Sequence, residues 1–195
     1  MSSREQILAA VKNNQPELTA LPLMDEFFQK HDYCLLEKFT EVLTGIGGTI
    51  TEVENVAEAI NQIKAHYTLD ESRVVSPLES MKEIANIYSN DRFPHELENV
   101  ELAILPAHFA VAENGACWVS EELFSDRVLP FITQHLVLLL NKKDILPTMH
   151  EAYEKIGQQQ YGFGTFIAGP SKTADIEQSL VLGAHGARSL WVILI

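Results

Sequence analysis

Residues 166 to 180, FIAGPSKTADIEQSL, place a glycine, a proline, hydroxyl side chains and a lysine at one junction. An apolar run comes first, and the pattern then predicts a helix from about 172 to 182. Glycine lets the main chain approach a ligand closely, and a helix start offers unpaired N–H groups with partial positive charge. The stretch therefore predicts a site for a small anionic ligand. The groups expected to bind it are Gly169, Ser171, Lys172 and Thr173.

The same junction also fits ordinary helix capping. Asp175 falls in the first turn of the predicted helix, where a carboxylate neutralises the helix dipole instead of leaving it for a ligand. Ser171 or Thr173 would then serve as the cap. Both interpretations stay open, and Asp175 is kept as a candidate catalytic carboxylate.

A second stretch, HFAVAENGACWVS at 108 to 120, places Glu113 directly before Asn114-Gly115. Asn-Gly is a strong turn signal, so the plain interpretation is a hairpin with Glu113 at its rim. In the sharper interpretation Glu113 is catalytic, because a carboxylate at a strand end can act as a nucleophile or base when its surroundings tune it.

A third stretch, GAHGARS at 183 to 189, holds His185 between two glycines. An imidazole exposed on such a turn is a candidate general acid or base. Arg188 can bind a substrate carboxylate through two parallel hydrogen bonds. The alternatives are a solvated or structural histidine, and an arginine that pairs with Asp175 or Glu177.

Strands and helices alternate along the chain, and this order positions the three stretches. Strands are predicted near 49–54, 72–76, 100–107, 115–120, 135–140, 165–169 and 188–195. Helices are predicted near 3–13, 24–44, 55–66, 76–88, 146–157 and 172–182. The alternation indicates an α/β fold with a mostly parallel central sheet flanked by helices, and the strands near 100–120 are expected to form a local antiparallel pair. Ligands in such sheets bind beyond the carboxyl ends of the strands, where we expect the candidate residues to meet.

The N-terminal part is expected to be separate from this domain. Ser2 and Glu5 fit a capping box at the start of the first helix, and the segment NQPELTALP reads as a loop. We therefore predict an N-terminal helix and linker over 1–22 and a single α/β domain over 23–195.

Composition excludes several classes of function. The 195 residues include 27 acids against 14 bases, a net charge of −13, without the basic cluster that nucleic-acid binding needs. Neither a membrane span nor a signal peptide is recognisable, so we expect a cytoplasmic protein. The two cysteines, Cys34 and Cys117, are too few for an iron–sulfur cluster of the chain's own, and the histidine spacings predict no metal site.

Three segments resemble the LUD-domain family, in its lactate-utilisation protein C group. They are AGPSKTADIEQSLVLGAHGARSLWVILI, AHFAVAENGACWV and HLVLLLNKKDILPTM. The first carries the family's Gly-Pro-Ser segment and its Gly-x-His-Gly turn, although Ala187 stands where the family has proline. The resemblance implies a NagB/RpiA/CoA transferase-like fold. It also implies a role in oxidising L-lactate to pyruvate, alongside separate iron–sulfur subunits that carry the redox centres.

Two alternatives remain. Class I CoA transferases carry a Glu-Asn-Gly segment whose glutamate forms a thioester with CoA, and AENG at 112–115 is similar. Glu113 would then be the nucleophile, although the Gly-x-Gly-Gly-Phe stretch of those enzymes is missing. The other alternative is a non-catalytic interaction subunit that binds its partners through the N-terminal helix. Catalytic candidates are Glu113, Asp175 and His185, and ligand-binding candidates are Gly169, Ser171, Lys172, Thr173 and Arg188.

Overall fold

The computed structural model describes residues 2–20, 32–69, 72–88, 94–124, 126–157, 159–174 and 180–195. The chain divides into two compact units, Met1–Lys30 and His31–Ile195. The first unit contains helix α1 (Ser3–Asn13), and the capping box predicted for it is confirmed. The Ser2 hydroxyl accepts a hydrogen bond from the Glu5 main-chain N–H, and the Glu5 carboxylate accepts one from the Ser2 main-chain N–H.

The second unit is an α/β domain, as predicted. Its helices are α2 (Leu35–Gly45), α3 (Val56–His66), α4 (Leu129–Ile132) and α5 (Met149–Ile156). Its strands are β1 (Thr49–Glu52), β2 (Val74–Ser76), β3 (Asn86–Ile87), β4 (Leu102–Pro106), β5 (Phe109–Val111), β6 (Ala116–Ser120), β7 (His135–Leu140), β8 (Ile145–Leu146), β9 (Gly164–Ile167), β10 (Lys172–Ala174), β11 (Leu180–Leu182) and β12 (Ser189–Leu194). None of the helices among the described residues has both the length and the apolar composition that crossing a bilayer needs.

The central sheet has six strands in the order β1-β12-β7-β4-β2-β3, and every pairing in it is parallel. Beyond their first residues, His135 and Ser189, the middle strands β7 and β12 are apolar at every position because both of their faces are buried. In β7, Leu136 and Leu138 face the core cluster that α2 covers, whereas Val137 and Leu139 face the cluster that α3 covers. Helices therefore lie on both faces of the sheet.

A second sheet lies over the α2 side of the core, with strand order β8-β5-β6-β9. Strands β5 and β6 form the antiparallel hairpin that Asn114-Gly115 predicts. Cys117 faces the shared core, and Trp118 faces the opposite way against α5. The predicted pairing of the strand near 100–107 with this hairpin is wrong, because β4 pairs with β2 and β7 in the central sheet.

The helix predicted over 76–88 is wrong. Ser76 ends β2 and is fully buried, and its hydroxyl donates to the Ile104 main-chain oxygen at 2.7 Å instead of capping a helix. The chain makes a short 3₁₀ helix, Glu79–Met81, and returns as β3 beside β2. Pairing with a distant strand outweighs the local capping signal here. Helix α2 also begins at Leu35, and the earlier part of its prediction, residues 24–31, lies outside the described residues.

The helix predicted over 172–182 is also wrong, because both ends of that range are strands. β10 and β11 pair in antiparallel fashion, with Thr173 opposite Val181. The pairing continues past the strands, since the Gly183 main-chain N–H donates to the Ser171 main-chain oxygen at 3.0 Å. The anionic site predicted at a helix start therefore lacks its helix. Residues 175–179, including Asp175 and Glu177, lie outside the described residues.

Polar side chains gather at the amino ends of β7 and β12. His135 Nδ1 lies 2.7 Å from the Ser189 hydroxyl, and its Nε2 lies 3.6 Å from a carboxylate oxygen of Glu101. The Tyr67 ring centroid is 5.4 Å from that of His135. Burial lowers the pKa of His135, Glu101 acts in the opposite direction, and Arg188 and His66 reinforce the lowering.

Because the pKa of His135 is lowered in the folded protein, the stability of the protein depends on pH in the acid range. The unfolded chain takes up the proton first, near pH 6.5, so the free energy of unfolding decreases as pH falls from 7 to 5. We expect His135→Asn to make this decrease shallower, as followed by urea unfolding at each pH. His95→Asn, at an exposed histidine, is the control. His108 also has a lowered pKa, so part of the decrease remains. A pH dependence as steep in His135→Asn as in the wild type would contradict the assignment.

Candidate functional site

Two of the three candidate stretches meet at a cavity of about 300 Å³. The stretch that begins at Phe166 contributes residues 167–172, at and beyond the end of β9, and the stretch 183–189 contributes His185, Gly186 and Ala187 before β12. Among the candidates, those that line the cavity are Gly169, Ser171, Lys172 and His185. The remaining lining residues are apolar, and they come from α4 and from the strands: Pro130, Phe131, Leu136, Phe166 and Leu190.

Ser171 ties the two stretches together with three hydrogen bonds. Its main-chain N–H donates to the Ala187 oxygen at 2.8 Å, and its main-chain oxygen accepts from the Gly183 N–H at 3.0 Å. Its hydroxyl oxygen accepts from the His185 main-chain N–H at 3.3 Å. The turn from 183 to 187 is therefore fixed over Ser171, and His185 is held, exposed, at the cavity mouth.

The Lys172 ammonium has a structural partner in addition to its place at the cavity. It donates to the main-chain oxygen of Ile46, the C-cap residue of α2. A helix carries partial negative charge at its carboxyl end, and the last turn of α2 has no basic residue of its own. Lys172 supplies the missing cation. An ammonium has three donor hydrogens, so this bond does not use up its capacity.

Close contacts with Ile46 favour glycine at two positions, the candidate Gly169 and Gly115 of the hairpin turn. Gly169 has a φ of +74°, and a Cβ there would lie 3.1 Å from the Ile46 main-chain oxygen. Gly115 has a φ of +69°, and a Cβ there would lie 3.2 Å from Ile46 Cδ1. Positive φ and close approach both favour glycine. The loop that contains Glu113 therefore lies against the same residue as the loop that contains Ser171.

The Glu113 side chain, however, does not line the cavity. Its carboxylate accepts a 2.6 Å hydrogen bond from the main-chain N–H of Met149, the first residue of α5. A carboxylate at this place compensates the unpaired N–H groups and the positive end of the helix dipole. In the structure Glu113 contributes to the cap of α5, which agrees with the plain hairpin-rim interpretation.

Two other candidates lie outside the cavity. Thr173 is in β10, and Arg188 lies beyond the turn, where its main-chain N–H donates to the Gln134 oxygen at 2.8 Å. The Arg188 side chain packs directly against Gly183, since a Cβ on that glycine would lie 2.3 Å from Arg188 Cγ. Neither Thr173 nor Arg188 is among the residues that line this cavity.

The cavity lies at the opposite end of the sheet from the one predicted. Leu136 and Leu190 are the second residues of the parallel strands β7 and β12, and both line the cavity. The site therefore opens at the amino ends of these strands, on the face that α2 covers. The predicted location at carboxyl ends assumed that the candidate loops all followed strands of one sheet. In fact Ser171 follows β9 of the second sheet, and His185 precedes β12 of the first.

Sequence reasoning missed the apolar part of the site. Leu136 and Leu190 lie in continuous apolar strands and read as ordinary core, and Phe131 lies in the four-residue helix α4. No local signal in the sequence distinguishes a core leucine that borders a cavity from one that does not. Only the packing of two sheets reveals it.

The two cysteines lie in different environments. Cys34 is exposed, whereas burial raises the pKa of the Cys117 thiol to about 12. Within the described ranges, no three side chains of the His, Cys, Asp or Glu type come together in a way that could hold a metal ion.

The contact between Gly169 and Ile46 can be tested by adding one methyl group. We expect Gly169→Ala to lower the free energy of unfolding by about 1–3 kcal/mol, because the left-handed backbone and the contact both disfavour Cβ. Gly45→Ala is the matched control, since a Cβ at Gly45 meets nothing within 4 Å. Urea unfolding of both variants measures the difference. Equal stabilities of Gly169→Ala and the wild type would contradict the close approach.

Known proteins similar to this chain agree with the resemblance drawn from its motifs. Lactate utilization protein C of Bacillus pumilus is 31% identical over 110 residues, which cover 50% of this chain and 46% of that protein. Lactate utilization protein C of Halalkalibacterium halodurans is 21% identical over 201 residues, which cover 92% of this chain and 87% of that protein. The chain thus spans about half the length of the first relative and most of the second.

A crystal structure of a DUF162 family protein from Deinococcus radiodurans has the same fold. The TM-score is 0.60 at 18% sequence identity, and the match covers 82% of this chain and 95% of that one. The family model for the LUD domain matches residues 36–195, which include both stretches that form the cavity. The family predicted from the motifs is therefore confirmed: this chain belongs to the LUD-domain family, and its relatives include proteins named lactate utilization protein C.

Proposed function

We propose that this chain is a cytoplasmic component of a lactate-utilisation system that oxidises L-lactate to pyruvate together with separate iron–sulfur subunits. We propose further that it binds a small anionic ligand of that reaction at the cavity between Ser171 and His185. The names of the relatives support the pathway. The observation that supports the binding site is the cavity itself, where polar groups from two separate loops are held at one mouth by the bonds of Ser171.

The polar groups at the mouth suit a 2-hydroxy or 2-oxo acid. A hydroxyl that accepts one hydrogen bond can still donate its own hydrogen, so Ser171 retains a donor for a carboxylate. Lys172 lies beside it and keeps two of its three donor hydrogens after bonding Ile46. The His185 imidazole lies at the same mouth, where it can exchange a proton with the hydroxyl or keto oxygen at C2.

The proposed ligand rests on a loop, where the sequence predicted a helix start. Binding depends on the Ser171 hydroxyl, one ammonium and one imidazole, without the dipole of a following helix. Oxidation of lactate releases two electrons and two protons. We assign these electrons to clusters in partner subunits, because a cluster needs several thiolate ligands and this chain has two cysteines. Glu113 takes no part in it, since its carboxylate bonds the start of α5.

Isothermal titration of the full chain with L-lactate and with pyruvate tests the site. We expect saturable binding of at least one of them, and about a tenfold loss of affinity in Ser171→Ala and in His185→Gln, the size of effect that one lost hydrogen bond to a charged group produces. Ser80→Ala and His95→Gln, at exposed positions outside the cavity, are the matched controls. Circular dichroism checks that each variant is folded. Absence of binding to the folded wild type, or equal affinity in all four variants, would overturn the proposal.

A further inference from the structure

A serine, a histidine and a glutamate form a chain of contacts at the amino ends of three neighbouring strands. His135 begins β7, Ser189 begins β12, and Glu101 directly precedes β4. His135 Nδ1 lies 2.7 Å from the Ser189 hydroxyl oxygen, and its Nε2 lies 3.6 Å from a Glu101 carboxylate oxygen. The sheet fixes these neighbours, because Ser189 pairs with His135 and the His135 main-chain N–H donates to the Glu101 main-chain oxygen at 2.8 Å.

This chain of contacts is separate from the cavity of the proposed function. Side chains alternate between the two faces of a strand, so His135 and Ser189 lie on the face opposite Leu136 and Leu190. Their face is the one that α3 covers. Tyr67, the C-cap residue of α3, packs there with its ring centroid 5.4 Å from that of His135. The two sites therefore lie on opposite faces of the central sheet.

The contacts suit each of the three side chains to a role in a nucleophilic serine site. A carboxylate beside Nε2 favours the histidine tautomer with its proton on that nitrogen, which leaves the Nδ1 lone pair for the serine hydroxyl. Burial lowers the pKa of His135, so the ring is neutral near pH 7 and can accept a proton. A serine within hydrogen-bond reach of a base that a third group orients is the arrangement that activates serine nucleophiles.

Accessibility distinguishes Ser189 from another serine that contacts a histidine ring. His108 Nε2 lies 2.8 Å from the Ser120 hydroxyl, but Ser120 is only 3% exposed. Ser189, in contrast, is half-buried, and the side chains of His135 and Glu101 are 27% and 46% exposed. A small molecule in solution can therefore reach the group around Ser189, whereas Ser120 is closed to it.

We propose that Ser189 is a nucleophile that accepts the acyl group of small carboxylic esters, with His135 as the general base and Glu101 as a positioning residue. Ser189 Oγ forms a bond to the carbonyl carbon while its proton moves to His135 Nδ1. The bond from that carbon to the alkoxy oxygen then breaks, and this oxygen takes the proton from Nδ1. Water, deprotonated by the same nitrogen, attacks the acyl carbon and releases the acid, and Ser189 recovers its proton.

Arg188 supplies positive charge beside this group. It directly precedes Ser189 and lies close enough to His135 to lower the pKa of the ring. Negative charge develops on the carbonyl oxygen during the attack, and a nearby guanidinium stabilises that charge. The site thus gives a role to an arginine that the sequence singles out and that does not line the cavity of the proposed function.

The carboxylate of Glu101 can be tested apart from the serine. Glu101 raises the pKa of His135, whereas Arg188 and His66 lower it and the Tyr67 ring packs beside it. Loss of the carboxylate therefore lowers the pKa of the base further. We expect Glu101→Gln to react with a fluorophosphonate probe more slowly at pH 7, and to reach its half-maximal rate at a lower pH than the wild type. A pH profile identical to that of the wild type would overturn the positioning role.

Reaction of the full chain with the same fluorophosphonate probe, followed by peptide mass spectrometry, tests Ser189 itself. Serine attack forms an Oγ–P bond and releases fluoride. We expect an adduct on Ser189 in the wild type, and labelling about 100-fold slower in His135→Asn, the low end of what a general base contributes. Hydrolysis of p-nitrophenyl acetate is expected to fall in Ser189→Ala and to stay at the wild-type rate in the controls Ser120→Ala and Ser80→Ala, one buried and one exposed.

Circular dichroism checks that each of these variants is folded. Absence of a Ser189 adduct in the folded wild type would overturn the proposal. So would ester hydrolysis that is equal in the wild type and in Ser189→Ala, because the acyl group would then be accepted elsewhere. Neither result bears on the binding of lactate or pyruvate at the cavity on the other face of the sheet.

Discussion

The hydrogen bonds of one serine hold the candidate site together. Ser171 uses its main-chain N–H, its main-chain oxygen and its hydroxyl oxygen to bond the turn from 183 to 187. These bonds extend the β10–β11 pairing, and they fix the turn that leads into β12, a middle strand of the central sheet. Ala187 stands in this turn, and its main-chain oxygen accepts one of the three bonds.

The carboxyl end of α2 is the second constraint on the site. The turn after α2 brings Ile46 against Gly169 and Gly115, and the Lys172 ammonium bonds the Ile46 oxygen. The same cation therefore stabilises a helix end and borders the cavity. A ligand carboxylate at the mouth would share Lys172 with that helix end, which couples ligand binding to the packing of α2. In the proposed function, stability and ligand recognition would depend on the same few contacts.

Sequence patterns predict the central strands and helices of this domain better than the segments that connect them. The strands at 135–140 and 189–194 follow from apolar runs that only a buried parallel sheet accommodates. The helix α3 follows from its periodicity. The capping signals at Ser76 and Ser171 mislead because each hydroxyl bonds a residue far along the chain, the Ile104 oxygen in one case and the His185 N–H in the other. The local sequence around each serine gives no information about these hydrogen-bond partners.

The polar half of the site could be predicted and the apolar half could not. Glycine-rich turns and the family motifs single out Gly169, Ser171 and His185, which the structure brings to one cavity. Glu113 carries an equally clear motif, yet its carboxylate bonds the start of α5. The cavity wall at Leu136 and Leu190 depends on how the second sheet packs over the first, which no spacing along the chain encodes.

Amide hydrogen exchange, measured residue by residue in the wild type and in Ser171→Ala, tests the role of Ser171 most directly. We expect the Ser171 and Gly183 amides to be protected in both proteins, because their acceptors are main-chain oxygens. The His185 amide, whose acceptor is the serine hydroxyl, is expected to be protected in the wild type alone. Exchange of all three wild-type amides at the rate of an unstructured chain would contradict the account, as would His185 protection that survives the loss of the hydroxyl.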